Sequence, residues 1–246
     1  FVEMGVRIIG GCCGTTPEHI GEISKRLSRR STPRLRSGQG VSSGKRASRI
    51  SRVSSWQGVS RLASRTMVVG VSGRKPVIVG ERINTTVRKQ IAEDIKNDNF
   101  SGIREEAVAQ VGLGAEVLDI NVGVPDTDEV MLMRRAVEVV QGAVMAPISI
   151  DSANPKALEA GLKECVGKPL VNSVNGKKDS MAAILPLVKK SGAAVVALTL
   201  DEAGIAETAE QKLRVAAKII KAADKLGIPR QDIFIDTLVM TVATHP

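Results

Sequence analysis

Tyrosine is absent from this 246-residue chain, tryptophan occurs once and phenylalanine three times. Core volume must therefore come from Val, Ile, Leu, Ala and Met, as in sheets buried on both faces by helices. Cysteine is nearly as scarce. Three of them, two adjacent, make no disulfide framework and fit a reducing, cytoplasmic setting. The longest apolar stretch, around Gly192 to Leu200, falls far short of the roughly 20 residues that a membrane-crossing helix needs. The start Phe1-Val-Glu3 has no basic region before an apolar one, so no signal peptide is expected. It also has no initiator Met, so the chain is expected to be a fragment.

Acidic residues are missing from one segment only. Residues 24 to 66 hold 12 of the 35 basic residues and no Asp or Glu, leaving 23 basic against 26 acidic elsewhere, a net of −3. The overall charge of +9 thus belongs to a Ser/Arg/Gly-rich stretch, read as a linker over residues 24–75. Trp56 is its sole aromatic, so it lacks the stacking residues of a single-strand nucleic-acid binder, and no nucleic-acid partner is expected. Ile50, Val53, Trp56, Val59 and Leu62 leave room for short strands that pack on the next domain.

What is present is a 43% hydrophobic chain, enough for a real core. Residues 1–23 read as a strand at Val6-Arg-Ile-Ile9, a Gly-rich turn with Cys12-Cys13, and a helix opening at Thr16-Pro17-Glu18. From Pro76 the pattern becomes strand, loop, helix, repeated. Strands are predicted at Val77 to Val79 and near 117–121, 147–151, 169–172, 194–200 and 233–236. Asn154-Pro155 is a helix cap and first-turn pair ahead of Leu158 and Leu162. Val130, Met133, Val137 and Val140 recur at helical spacing, as do Leu213, Ala216, Ala217 and Ile220 before the stop Gly227-Ile-Pro229. This is an α/β chain of parallel βα units, a barrel cut after about six strands.

Polar residues close the apolar runs. Glu81, Asp119, Asp151, Asn172 and Asp236 each come after one. Any one of them has a plain reading as a turn or helix-cap residue. Five together place a ring of carboxylates and carboxamides at the mouth where (β/α)-barrel enzymes keep their chemistry. Such groups hydrogen-bond the edges of a flat heterocycle rich in N–H, and they lack the cations of a phosphate site.

The segments Gly80-Glu-Arg-Ile-Asn84, Leu118-Asp-Ile-Asn-Val-Gly123, Ile150-Asp-Ser152, Leu170-Val-Asn-Ser-Val-Asn-Gly176, Ala194-Val-Val-Ala-Leu-Thr-Leu-Asp-Glu202 and Ile235-Asp236 resemble the methyltetrahydrofolate-binding domain of cobalamin-dependent methionine synthases and their corrinoid methyltransferase relatives. The resemblance covers residues 76–246 and implies a (β/α)8 TIM-type barrel of the pterin-binding family. It implies that Asp151, Asn172 and Asp236 hydrogen-bond the pterin ring, that Asp119 and Asn121 line the same mouth, and that Glu81 and Asn84 lie beside it. Asp151, Asn172 and Asp119 are the residues it places nearest the chemistry. The reaction it implies is methyl transfer from 5-methyltetrahydrofolate to cob(I)alamin, carried on another domain or a corrinoid protein, and on to homocysteine to give methionine.

Two departures stand out. Thr237 comes after Asp236 where the family usually has Pro, and the seventh strand, with an Asn near N5, would lie beyond Pro246. Gly10-Gly-Cys-Cys-Gly-Thr-Thr-Pro17 resembles the end of the homocysteine-binding barrel of the same enzymes. That resemblance makes Cys12 and Cys13 zinc ligands whose third partner is missing, and residues 1–23 the remnant of a homocysteine domain. The alternatives are another corrinoid-dependent methyltransferase, a dihydropteroate synthase-like enzyme, or an inactive chain that only binds folate. The dihydropteroate reading would need an Arg/Ser diphosphate motif where Asn121-Val-Gly-Val-Pro125 stands.

Overall fold

The computed structural model describes residues 8–10, 59–71 and 76–238. Its elements run β1 (Ile8–Gly10), β2 (Ser60–Ala63), β3 (Val68–Val71), β4 (Val77–Asn84), α1 (Lys89–Lys96), α2 (Ser101–Gly112), β5 (Val117–Asn121) and α3 (Glu129–Ala143). They continue with β6 (Ile148–Asp151), α4 (Pro155–Glu164), β7 (Leu170–Asn175), α5 (Lys178–Ser191) and β8 (Ala194–Leu198). After a small hairpin of β9 (Leu200–Asp201) and β10 (Gly204–Ile205) come α6 (Ala209–Lys225), a 3-10 turn at Arg230–Asp232, and β11 (Ile233–Asp236).

The six strands expected from Pro76 onward are β4, β5, β6, β7, β8 and β11, and they stand side by side in that order, all parallel. Each crossover steps to the next place in one direction, which is how a (β/α) barrel winds. A seventh strand joins them. β1 lies parallel to β4, with Ile8, Ile9 and Gly10 opposite Val77, Ile78 and Val79. The sheet edge beside β4 is therefore paired, which satisfies main-chain groups that an edge would leave bare.

Local signals account for the helices. Asn154 caps α4 by accepting from the Lys156 N–H at 3.0 Å, with Pro155 in the first turn. Thr208 and Gln211 form a capping box on α6. Pro186 lies inside α5. The predicted α6 face requires correction. Leu213 is 71% exposed and Ala217 is exposed as well, while Val215, Ala216, Ile219 and Ala223 are buried. Two apolar stripes run along this helix, and packing against the sheet selects the one that spacing did not favour. The helices α1 and α2, the extension of β4 to Asn84 and the β9–β10 hairpin add to the predicted elements.

β2 and β3 pair antiparallel and cover the N-terminal end of the barrel strands. Leu62 and Val69 pack with Val77, Val79, Val117, Leu170 and Ala194, an apolar layer that fills the barrel floor. Ala63 exchanges main-chain hydrogen bonds with Lys168 at 2.9 and 2.8 Å. Asp232 takes the Ser60 hydroxyl at 2.8 Å and the Lys168 ammonium at 2.6 Å. The approach is close enough that a Cβ on Gly167, whose φ is +107°, would sit 2.2 Å from the Ala63 carbonyl oxygen. Among the described residues, no helix is long and apolar enough to cross a membrane.

This packing makes the hairpin part of the barrel's stability. Leu62 is fully buried, so Leu62→Ala should cost about 3 kcal/mol of unfolding free energy in a urea titration of the full chain. A loss below about 0.5 kcal/mol would mean that the hairpin is a loosely attached appendage.

Candidate functional site

Strand alternation builds the site from the floor upward. Val117, Asp119 and Asn121 share one face of β5, Ser149 and Asp151 one face of β6, and Leu170 and Asn172 one face of β7. Val117 and Leu170 belong to the apolar floor layer. The polar residues two and four positions on stand above it, at the C-terminal mouth. Parallel register aligns them across strands, with Asp119 opposite Ser149 and Asp151 opposite Asn172.

Two bulges interrupt this regularity where the site needs it. Between Gly80 and Ile83, β4 spends three steps against the two from Leu118 to Ile120. Between Val171 and Val174, β7 spends three against the two from Val195 to Ala197. A bulge bends its strand and re-aims side chains. The first contains Glu81 and the second contains Asn172.

At the mouth each of three carboxyl groups is held by a carboxamide. Asn84 Nδ2 donates to Glu81 Oε1, Asn121 Nδ2 to Asp151 Oδ2 at 2.9 Å, and Asn172 Nδ2 to both oxygens of Asp119 at 3.4 Å. The first two amides are oriented from behind. Asn84 Oδ1 accepts from the Thr86 N–H and hydroxyl at 3.0 and 2.6 Å, and Asn121 Oδ1 from the Gly123 N–H at 3.1 Å. Glu129, in the first turn of α3, accepts from Ser152 Oγ and Asn154 Nδ2 and so ties down the loop after Asp151.

The electrostatics result from crowding three acids into a dry space. Burial, then the neighbouring Asp151 charge, pushes the Asp119 carboxyl up to about 7, against hydrogen bonds from Ser149 and Asn172. Burial raises Asp151 too, opposed by the Asn121 hydrogen bond and reinforced by Glu129. Burial also raises Glu81, opposed by Asn84, reinforced by Asp151 and opposed by Arg82. The arrangement can accept several N–H donors along a ring edge. It can also keep a proton on a carboxyl group near neutral pH.

Six of the predicted residues, Glu81, Asn84, Asp119, Asn121, Asp151 and Asn172, therefore meet in one cluster. Asp236 stands at the end of β11, separated from β7 by β8, with an exposed side chain that accepts from the Leu238 N–H at 2.7 Å. No hydrogen bond joins it to the six among the described residues. Cys12 and Cys13 lie outside the described residues. Among those described, no group of three His, Cys, Asp or Glu side chains is placed to hold a metal ion. Cys165 caps the end of α4, where burial pushes its thiol up to about 12, the chemistry of an inert packing residue. Sequence reasoning missed Ser149 and Glu129. Ser149 is visible two positions before Asp151 on the same strand face, whereas Glu129 reaches the site only through the α3 turn.

Residues 80–245 match the family described as Pterin binding enzyme. The chain belongs to that family. Residues 1–27 match the Homocysteine S-methyltransferase family. Methionine synthase of Mycobacterium tuberculosis (strain ATCC 25618 / H37Rv) is 33% identical over 250 residues, covering 99% of this chain and 20% of that protein. Methionine synthase of Mycobacterium leprae (strain TN) is 31% identical over the same span and shares. The chain thus spans about a fifth of the length of these curated relatives. Two solved structures of Xanthomonas albilineans dihydropteroate synthase, one in complex with indole-2-carboxylic acid and 6-chloroguanine and one with 4-aminobenzoic acid, are 20% and 21% identical. Each aligns with a TM-score of 0.52, covering 72% of this chain and 64% of theirs. At that identity the likeness is one of fold, the TIM-like barrel of pterin-binding enzymes, represented in this chain by its parallel strands and their helices.

The raised Asp119 has a consequence for stability in this pterin-binding fold. The folded chain holds that proton up to about pH 7, whereas an unfolded Asp releases it near 3.8. The folded state binds more protons across that window, so the Asp119 contribution falls as pH rises from about 4 to 7. Asp119→Asn should flatten this slope and raise unfolding free energy at pH 8, by at most about 4 kcal/mol. A pH–stability profile unchanged by the substitution would assign the raised group elsewhere.

Proposed function

We propose that the polar mouth binds the pterin ring of 5-methyltetrahydrofolate, and that this chain is the folate-binding part of a methionine synthase. The observation that carries the reading is the set of three carboxyl groups, each held by its own Asn, around one barrel mouth. A pterin edge presents a ring N–H and an exocyclic amino group side by side, which need acceptors at fixed spacing. Asp151 and Asn172, opposite one another on β6 and β7, supply such a pair. Asp236 closes the ring from β11 by turning its carboxylate away from Leu238. Glu81, Asn84 and Asn121 complete the rim.

Methyl transfer rather than diphosphate displacement is favoured by the loop after β5. Residues 122–128, Val-Gly-Val-Pro-Asp-Thr-Asp, offer no Lys or Arg to a diphosphate leaving group and carry two Asp. Removing the methyl group from N5 leaves an amine anion unless that nitrogen gains a proton or a strong hydrogen bond as the C–N bond breaks. Asp119 is the carboxyl group best suited to hold that proton, being buried and protonated up to about pH 7. Asn172, which spans both Asp119 oxygens, keeps it oriented toward the ring. Cob(I)alamin, on another domain or a corrinoid protein, supplies the nucleophile that accepts the methyl group. The residues of the mouth would bind and orient the methyl donor and manage its proton.

Homocysteine as the final acceptor is supported by the match of residues 1–27 and by the two methionine synthase relatives. Cys12 and Cys13 would be zinc ligands there, since zinc favours thiolates and lowers the pKa of a bound thiol. A cytoplasmic location goes with that reaction.

Asp151→Ala should weaken 5-methyltetrahydrofolate binding by about ten- to a hundredfold in calorimetry, the range for a charge-assisted hydrogen bond of about 1.5 to 3 kcal/mol. Affinity equal to that of the unaltered chain would remove Asp151 from the pterin site. Failure of the unaltered chain to bind would remove the reading itself.

A further inference from the structure

Gln110 is a polar side chain outside the carboxyl–carboxamide cluster, fully buried on α2 behind β4. Its Oε1 accepts from the Arg82 main-chain N–H at 3.0 Å. That N–H lies inside the β4 bulge, where the ladder to β5 skips. Room for the carboxamide comes from Gly80, where a Cβ would stand 2.6 Å from Gln110 Oε1 and 3.1 Å from Ala115 Cβ. One turn earlier on the same helix, Glu106 binds Arg82 Nε at 3.2 Å and also the Arg88 guanidinium.

The bulge changes which side chains face the mouth. Val77 and Val79 line the barrel floor, so unbroken alternation would carry Glu81 and Ile83 inward and send Asn84 outward. Instead Ile83 packs in the helix-side core, and Asn84 pairs opposite Asn121 and reaches Glu81. The extra residue thus lets two side chains three positions apart face the same way.

Gln110 is a costly choice for helix packing alone. Its Nε2 is buried without a hydrogen-bond partner among the described residues, a loss that Leu or Met would not incur. The acceptor oxygen is what those residues lack. We propose that Gln110 is a positioning residue of the site, which, through the Arg82 N–H, holds the β4 bulge in the form that brings Asn84 into the mouth beside Glu81. Its effect on folate binding rests on the pterin reading; its effect on Asn84 rests on the fold alone.

The test compares Gln110→Met, which keeps the bulk and loses the acceptor, with Gln110→Glu, which keeps an acceptor at the same place. In 15N spectra of the ligand-free full chain, the Asn84 carboxamide signals should move in Gln110→Met and stay close to their original positions in Gln110→Glu. Binding of 5-methyltetrahydrofolate should weaken about tenfold in Gln110→Met, the equivalent of one hydrogen bond, and largely recover in Gln110→Glu. In an Asn84→Ala background, Gln110→Met should bring no further loss. Asn84 signals that stay put in Gln110→Met while its unfolding midpoint drops would overturn the proposal, leaving Gln110 a packing residue. Equal losses of affinity with and without Asn84 would overturn it too. If the unaltered chain does not bind the folate, it is the pterin reading that fails, and the Asn84 signals still decide the role of Gln110.

Discussion

Asp119 and Asp151 stand on neighbouring parallel strands, above an apolar floor that keeps water from beneath them, and two such groups cannot both ionise cheaply. The rest of the mouth answers that constraint. Asn172 and Ser149 hydrogen-bond Asp119. Asn121 bonds Asp151, while Glu129 holds the loop beyond it through Ser152 and Asn154. The carboxamides lessen the repulsion without neutralising it, since an amide brings a dipole where a lysine would bring a charge. What remains is a mouth with surplus acceptors and a proton on Asp119 near neutral pH. Both are properties that a ring carrying several N–H groups would exploit.

Holding that cluster together is the task of the elements around it. Each bulge departs from ladder pairing at a residue of the site, and each departure must be supported from outside the strand. For β4 the support comes from α2, whose Glu106 and Gln110 lie one turn apart and take the Arg82 side chain and main chain respectively. For the loop after β6 it comes from the start of α3. The helices of this barrel therefore bury its sheet and also supply the hydrogen bonds that its irregular strand ends cannot make for themselves.

The strands and the six residues that meet at the mouth were legible because both rest on short-range rules. Apolar runs ending on Asp, Asn or Glu mark strand ends wherever they occur, and period-two spacing puts Asp119 with Asn121 on one face. Asn154 and Gly227 are local signals of the same sort. The rest depends on contacts between distant residues. Gln110 looks like any polar helix residue until the Gly80 to Ile83 bulge is known. Leu213 and Val215 offer α6 two comparable apolar stripes, and only the sheet decides between them. Of the β2–β3 hairpin, Leu62 signals a short strand able to pack on the next domain, but β3 and the antiparallel pairing have no signal in a Ser/Arg-rich stretch. Pairing of β1 with β4 had no signal at all, since nothing in Ile8-Ile9-Gly10 names a partner strand.

The two ends of the barrel are built on opposite principles, and the contrast explains why they can coexist. At the floor, opposite charges and main-chain bonds are matched. Lys168 and Ser60 converge on Asp232, and Ala63 returns both of its main-chain groups to Lys168. At the mouth like charges are gathered and left partly unmatched. A mouth of that kind costs stability in proportion to how dry it is, and the same dryness strengthens each hydrogen bond that a ligand could make there. The apolar layer of Val77, Val117, Leu170 and Ala194 separates these regimes, so the floor and its hairpin can offset the cost of the mouth without screening its charges.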